Sequence, residues 1–347
     1  MDQDLTRYHR QYLFHKIGLE GQKKISKSRV TLIGCGALGT VIASALVRGG
    51  VGFLRIVDRD FIELNNLQRQ VLFDEEDIRQ NLPKAVAAKQ KLEKINHQVK
   101  IDAVVADANY TNIESLIEGA DLVMDGSDNF EVRYVINDAC VKAGKPWIYG
   151  GCVGDAGMTL VVIPKKTPCL ACLFQSAPPP EFSPSCDTAG IISPIVNIIS
   201  SLQVTEALKV LMGKFDEVNG GLYSFNVWNR EAHAFGTSAS RDPECPVCEK
   251  GIYEYLKGEK GVRTSMLCGR NAVQISRDSA IKLDFPVIAD KLKQVGVVSF
   301  NNFMLKCALK ESGTDYEITL FPDGRAIIKG TSDIPRAKSI YAKYISV

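Results

Sequence analysis

The stretch Arg29-Val30-Thr31-Leu32-Ile33-Gly34-Cys35-Gly36-Ala37-Leu38-Gly39 decides the fold. An apolar run of strand length passes straight into three glycines spaced G-x-G-x-x-G. That spacing lets a backbone turn tightly, approach a phosphate closely and pack a helix on a sheet. After a helix-like run the chain returns in a second strand that ends at Asp58, where a carboxylate can accept hydrogen bonds from both hydroxyls of a ribose. Read alone, Gly34, Gly36, Gly39 and Asp58 make a nucleotide cradle whose obvious ligand is NAD. The residues around them favour ATP.

Working outward, residues 29–150 alternate apolar strands with amphipathic runs. The pattern predicts strands at 29–34, 53–58, 98–105, 121–125 and 147–150, with helices at 37–49, 83–96 and 129–143. Pro83 suits the first turn of its helix, where the missing N–H is unpaired in any case. Such alternation builds an α/β fold, a Rossmann-like, doubly wound and mainly parallel sheet with ligands at the carboxyl ends of its strands. Strands at 157–163 and within 221–235 read as an antiparallel extension. They flank a loop at 174–190 containing Pro178, Pro179, Pro180 and Pro184, and a long helix at 193–212. Ahead of the sheet, residues 5–25 mix basic and aromatic side chains, Arg10 among them, and read as an N-terminal helix packed on the domain. The expected division is an ATP-binding domain with a metal site over 1–248, a linker over 249–263 and a small α+β domain over 264–347, of ferredoxin-like type.

The net charge of +2, with 45% hydrophobic and 24% charged residues, is that of an ordinary globular chain and calls for neither nucleic acid nor an anionic membrane as partner. No run reaches the roughly 18 apolar residues of a membrane span, and the N-terminus lacks the apolar core of a signal peptide. A cytoplasmic protein is expected. Ten cysteines in such a chain point to metal before disulfides.

Three further elements carry chemistry. The loop Glu63-Leu64-Asn65-Asn66-Leu67-Gln68-Arg69-Gln70 follows the Asp58 strand, and a hydride-transfer enzyme has no evident use for it. A triphosphate does, because departing pyrophosphate needs cations and oriented amides; Arg69 and Lys84 supply two charges. At the end of the next sheet strand, Asp125-Gly126-Ser127-Asp128-Asn129 offers two carboxylates. Either could hold a Mg²⁺ bridging phosphate oxygens, and Asp128 could equally cap the helix that begins near Asn129. Finally, Cys169-Leu-Ala-Cys172 and Cys245-Pro-Val-Cys248 set two thiolates each on a tight knuckle, and four such ligands make a closed, structural, tetrahedral zinc site. Cys186 stands apart from these, in the proline-rich loop ahead of a helix, a setting that activates a thiol in some loops and leaves it a bystander in others. Cys268 and Cys307 read as packing residues of the small domain.

Taken together, Arg7-Tyr8-His9-Arg10-Gln11, the glycines, Asp58, Asn66-Leu-Gln-Arg69-Gln70, Pro83-Lys84, Asp125-x-x-Asp128-Asn129, the two Cys-x-x-Cys pairs and Cys186-x-x-Ala-Gly190 resemble the ThiF/MoeB family, bacterial relatives of the ubiquitin-activating E1 enzymes. The resemblance runs from about Leu5 to Glu249. It implies that MgATP adenylates the C-terminal carboxylate of a ubiquitin-like sulfur carrier protein ending in Gly-Gly. By matching positions, Asp58 would hold the ribose, Asn66, Arg69 and Lys84 the phosphates, and Asp128 the Mg²⁺. Arg10 would reach the γ-phosphate of a neighbouring subunit in a homodimer, and Cys186 would link covalently to the carrier during sulfur transfer from a donor such as a cysteine desulfurase. A ThiS-type carrier of thiamine thiazole biosynthesis is the leading expectation and a MoaD-type carrier the near alternative. An NAD-dependent oxidoreductase and a non-catalytic E1-like scaffold are the alternatives of another class.

Overall fold

The computed structural model describes residues 5–174, 189–236, 241–258, 264–267, 271–275, 283–311, 313–322 and 324–345. The chain divides into two units, residues 1–260 and 261–347.

The first unit is built on an eight-stranded sheet of order β3-β2-β1-β4-β5-β6-β7-β8. Its strands are β1 (Arg29–Ile33), β2 (Phe53–Val57), β3 (Lys100–Val104), β4 (Leu122–Asp125), β5 (Trp147–Val153), β6 (Ala156–Val162), β7 (Leu222–Asn226) and β8 (Glu231–Phe235). The first five pair in parallel and the last three extend the sheet antiparallel, as the sequence pattern predicts. Strand order reverses between β1 and β4, and this switch point opens the crevice in which such sheets bind ligands.

Helices cover both faces. Helices α2 (Ala37–Gly49), α3 (Lys84–Ile95) and α5 (Ser193–Leu211) share one core, in which Leu38, Ile42, Leu92 and Ile199 meet Val30 and Leu32 of β1. Helix α4 (Phe130–Ala143) packs on the other face, where Tyr134 and Ile136 meet Ile33 and Trp147. Alternate residues of β1 thus serve opposite cores, as period-two geometry requires. Pro83 lies one position earlier than expected, as the N-cap of α3 with extended backbone (φ −61°, ψ 144°).

Two expectations are corrected. The N-terminal segment is not one helix: a helical turn at His9–Tyr12 is separated from α1 (Gly18–Ile25) by a turn that leads to Gly18, whose φ is +61°. The expected linker is also packed over its first half. The Tyr255 ring stacks on Tyr134 at 4.7 Å and Leu256 is buried, because Asp138 of α4 accepts the backbone N–H of Tyr255.

The second unit is a six-stranded sheet of order β11-β12-β13-β14-β10-β9 with two helices. These are β9 (Thr264–Leu267), β10 (Ala272–Ile275), α6 (Phe285–Leu292), β11 (Gly296–Phe300), β12 (Leu305–Glu311), β13 (Thr314–Leu320), β14 (Ala326–Lys329) and α7 (Ile334–Tyr344). It is α+β as expected, and every described pairing is antiparallel. A ferredoxin-like domain is built from two split βαβ units, whereas here two strands, a helix, four strands running as a meander and a second helix follow one another, so that subtype is not what forms. Cys307 is buried in its core and Cys268 lies outside the described residues.

Candidate nucleotide site and cysteine centre

The glycine loop and the β4 turn are fitted to each other. Gly34, in the left-handed region at φ +90°, lies so close to the next turn that an added Cβ would stand 2.6 Å from the Gly126 backbone. A Cβ on Gly39 would stand 2.1 Å from the Gly34 carbonyl oxygen, which is the close helix–strand approach that only glycine permits. Gly36 differs: a Cβ there would meet only the Gln70 amide at 3.8 Å. The space above Gly36 is therefore open, with the Asn66–Gln70 loop along its edge.

Asp58 follows β2 at the rim of this space. Its Oδ2 accepts the Cys35 N–H at 2.6 Å and its Oδ1 the Asp60 N–H at 2.7 Å, which fixes the carboxylate while leaving lone pairs for a diol. Burial pushes its pKa up, and the nearby Lys84 ammonium opposes that. Lys84 is buried at the start of α3, and its Nζ lies 3.2 Å from Asp60 Oδ2. The cation is thus held at the crevice by a carboxylate two residues beyond Asp58.

The two aspartates of the β4 turn part company. Asp125 is wholly buried. Its Oδ1 accepts from Ser127 N at 2.9 Å and Ser127 Oγ at 2.6 Å, and its Oδ2 from Arg133 Nε at 3.2 Å. Asp128 is exposed, and the cap of α4 is Asn129, whose side chain accepts from Glu131 N at 2.8 Å. The capping alternative for Asp128 therefore fails. Asp128 lies within electrostatic range of Arg59 and Arg133. Asp125 is committed to the turn's architecture, and Asp128 is the carboxylate presented to solvent.

The other expected phosphate contacts are less open. Arg69 is half-buried and its Nη1 donates to the Asn65 carbonyl at 2.8 Å. Asn66 is buried, its Oδ1 accepting Glu63 N at 3.1 Å and its Nδ2 donating to Asn65 Oδ1 at 3.0 Å. One amide hydrogen of Asn66 thus serves the loop itself.

Arg10 is not in this cluster. Tyr8 packs against Gly50, at the far end of α2 from the glycine loop. The 13 residues of α2 span about 20 Å at 1.5 Å each. An arginine side chain reaches about 7 Å from its Cα. Arg10, two residues from Tyr8, therefore does not reach the cradle of its own chain. Cys186 lies outside the described residues.

The four paired cysteines do converge. Their sulfurs all lie within 4.8 Å of one another, with Cys169–Cys172 at 3.8 Å, Cys169–Cys245 at 3.6 Å and Cys172–Cys248 at 3.4 Å. Zinc–sulfur bonds of about 2.3 Å in a tetrahedron place sulfurs about 3.8 Å apart, so the donor set fits a zinc ion in number, type and spacing. The centre is tied to α4, since Asn137 Oδ1 accepts Leu170 N at 3.0 Å.

Several of these partners carry signals that the sequence reading passed over. Arg59 and Asp60 directly follow Asp58; Arg59 Nη1 lies 2.8 Å from Asp107 Oδ1. Arg133 stands one helical turn after Asn129, as a residue facing back to the strand end does. Gln203 of α5 has no such signal: it crosses to the sheet and donates to the Asp125 carbonyl at 2.9 Å.

Comparison with known proteins agrees with this geometry. Residues 8–247 match the ThiF family model. Over 340 residues the chain is 44% identical to the Bacillus subtilis sulfur carrier protein ThiS adenylyltransferase, covering 98% of this chain and 99% of the relative. It is 37% identical to a Thermus thermophilus sulfur carrier protein adenylyltransferase, over 71% of this chain and 91% of the relative. Among solved structures, Escherichia coli MccB with ATP superimposes with a TM-score of 0.61 at 26% identity, covering 71% of this chain and 75% of that one. A switch-point glycine loop with Asp58 and Lys84 beside it, and a four-cysteine centre tied to α4, accompany a match over most of the chain, and the protein belongs to the ThiF family.

Proposed function

We propose that this chain is the ATP-dependent adenylyltransferase of a ThiS-type sulfur carrier. The observation that carries the carrier choice is the 44% identity to a ThiS adenylyltransferase along essentially the whole length of both chains, tail included. Adenylation of a sulfur carrier protein is the activity of the family branch it matches, and the oxidoreductase reading falls with that assignment. The MccB relative solved with ATP supports ATP in the cradle above Gly36.

A terminal carboxylate of the carrier attacks the α-phosphorus of ATP; the bond from that phosphorus to the bridging oxygen breaks, and pyrophosphate leaves. The attacking carboxylate is already ionised near neutral pH, so no general base is required. The protein's part is positioning and charge neutralisation. Asp58 holds the ribose hydroxyls, while Lys84 and Arg69 with the second amide hydrogen of Asn66 hold the phosphates. Asp128 is the Mg²⁺ ligand, because Asp125 has spent both its oxygens on its own turn. A bound Mg²⁺ would neutralise phosphate charge there. Zinc at Cys169, Cys172, Cys245 and Cys248 is structural.

Arg10 completes the site from a second subunit. Its placement about 20 Å along α2 from its own cradle supports a homodimer with shared sites, since the arginine has no path to its own nucleotide. Cys186 acts after adenylation, on the activated carboxylate, with a sulfur donor such as a cysteine desulfurase.

Carrier-dependent ATP–pyrophosphate exchange tests this. Exchange with a ThiS-type carrier and little with a MoaD-type carrier is expected, the reverse preference would transfer the activity to the MoaD-type reading, and no exchange with either would leave the scaffold. Cys186→Ala should leave exchange intact and block later sulfur transfer; loss of exchange in a folded Cys186→Ala protein would overturn that division of labour.

A further inference from the structure

In Arg7-Tyr8-His9-Arg10-Gln11, only Arg10 has received a role. We propose that Tyr8 and Gln11 are positioning residues that hold Arg10 in place for its phosphate contact in the neighbouring subunit, an inference that rests on the Arg10 role proposed above. Tyr8 is 2% exposed although it precedes a short surface turn. Its ring fills a notch shaped by Gly50, where a Cβ would stand 2.3 Å from the ring, and Gly50 has a φ of +81°. The phenol is fixed at both valences: Asn96 Nδ2 donates to it at 2.8 Å, and it donates to Gln98 Oε1 at 3.3 Å.

On the other side of Arg10, Gln11 Nε2 donates to the Gly49 carbonyl at 2.9 Å and to Gln22 Oε1 at 2.7 Å. Gln22, wholly buried, donates to the same carbonyl at 3.1 Å. Arg7 Nη1 joins the Ile95 carbonyl at 2.7 Å. The carbonyls used, at Gly49 and Ile95, belong to the last turns of α2 and α3, which lack partners within their own helices. The segment is thus bolted to two helix ends on either side of Arg10. Arg10 itself is exposed and makes no hydrogen bond or ion pair among the described residues. Anchoring of this kind removes backbone freedom that the arginine would otherwise lose on reaching a phosphate.

A double-mutant cycle read by carrier-dependent ATP–pyrophosphate exchange of the full-length protein tests the inference. Arg10→Ala, Tyr8→Phe and Gln11→Ala are compared singly, and the latter two also in the Arg10→Ala background. Tyr8→Phe and Gln11→Ala should each raise the KM for ATP about three- to tenfold, as losing one or two hydrogen bonds does, with the KM for carrier unchanged. In the Arg10→Ala background neither should cost anything more. A purely structural role predicts the same fold-loss in both backgrounds, and that result would overturn the proposal. If Tyr8→Phe does not fold, Gln11→Ala carries the test with the ring socket intact. An Arg10→Ala protein with normal exchange would remove the Arg10 reading itself, and the positioning role of Tyr8 and Gln11 with it.

Discussion

Arg133 Nε lies 3.2 Å from Asp125 Oδ2 in a buried ion pair, and the same guanidinium donates through Nη2 to the carbonyls of Ser127 at 2.8 Å and Gly150 at 3.1 Å. Burial raises the pKa of Asp125, and Arg133 with the Ser127 hydroxyl and N–H opposes that. The pair holds the turn on which Asp128 is displayed. A buried carboxylate that organises a turn and an exposed one proposed as the metal ligand stand three residues apart.

This separation predicts opposite phenotypes for the two aspartates. Asp125→Ala leaves Arg133 buried without its counter-ion, and a loss of about 3–5 kcal/mol is expected. Asp128→Ala removes an exposed side chain and should change stability by no more than about 0.5 kcal/mol. It should nevertheless abolish pyrophosphate exchange. Thermal unfolding and exchange measured on both variants decide the matter. A severely destabilised Asp128→Ala, or an active Asp125→Ala, contradicts the assignment.

The glycines make a second contrast. Gly39→Ala forces a Cβ to within 2.1 Å of the Gly34 carbonyl oxygen, so the helix must move off the strand and the cradle with it. A loss of about 2 kcal/mol or more is expected, alongside loss of ATP binding. Gly36→Ala meets nothing closer than 3.8 Å and should fold normally. Its methyl group occupies the space assigned to phosphate, so the KM for ATP should rise at least about tenfold. Unfolding midpoints with and without ATP distinguish the two. A Gly36→Ala protein still stabilised by ATP as the wild type is would place the phosphates elsewhere.

Much of this architecture was legible because local pattern and tertiary role agree. Val30, Leu32 and Ile33 alternate into two cores, three glycines follow, and the switch-point crevice comes from strand order. The cysteine pairs were legible too, since thiolate knuckles have few other uses. What stayed hidden depends on contacts distant in sequence. Spacing leaves Asp125 and Asp128 equivalent; Arg133, eight residues beyond Asp125, and Gln203, 78 residues beyond it, hydrogen-bond to Asp125. The N-terminal stretch read as one helix from its mixed basic and aromatic composition and its position ahead of the first strand. The sockets at Gly50 and Asn96, which break it into a hook, lie about 40 to 90 residues away. The packed start of the supposed linker was masked by its charged composition, while Tyr255 and Leu256 find their partners on α4.

The cysteine centre predicts a metal and a mechanical consequence. Metal analysis should find about one zinc per chain, with markedly less counting against a four-thiolate site. Cys245→Ser should lose the zinc and lower the unfolding midpoint, because metal-binding energy in such a centre is folding energy. Helix α4 should feel the change, since Asn137 accepts the N–H of Leu170 between the first two cysteines. Hydrogen exchange should therefore accelerate at Leu170 and in the adjoining turns of α4, with the β1–β3 strands unaffected.

Asp138, on that same helix, gives the protein a titration in the mildly acidic range. It is fully buried, and burial raises its pKa from 3.8 to about 6, opposed by backbone N–H donors at Leu256 and Tyr255. A carboxyl whose folded pKa exceeds its unfolded value stabilises the fold when protonated, below about pH 4. That stability is lost as pH rises through about 6. The change over this window amounts to about 3 kcal/mol at most. Asp138→Asn keeps an acceptor for Tyr255 N and never acquires charge, so its unfolding midpoint should gain on the wild type as pH rises from 4 to 7 and stay level above that. Denaturant unfolding of both proteins at pH 4.5 and pH 7.5 measures the difference. An equal offset at both pH values would show that Asp138 does not titrate with folding, and that the 253–256 segment is held by the Tyr134–Tyr255 stack rather than by this carboxylate.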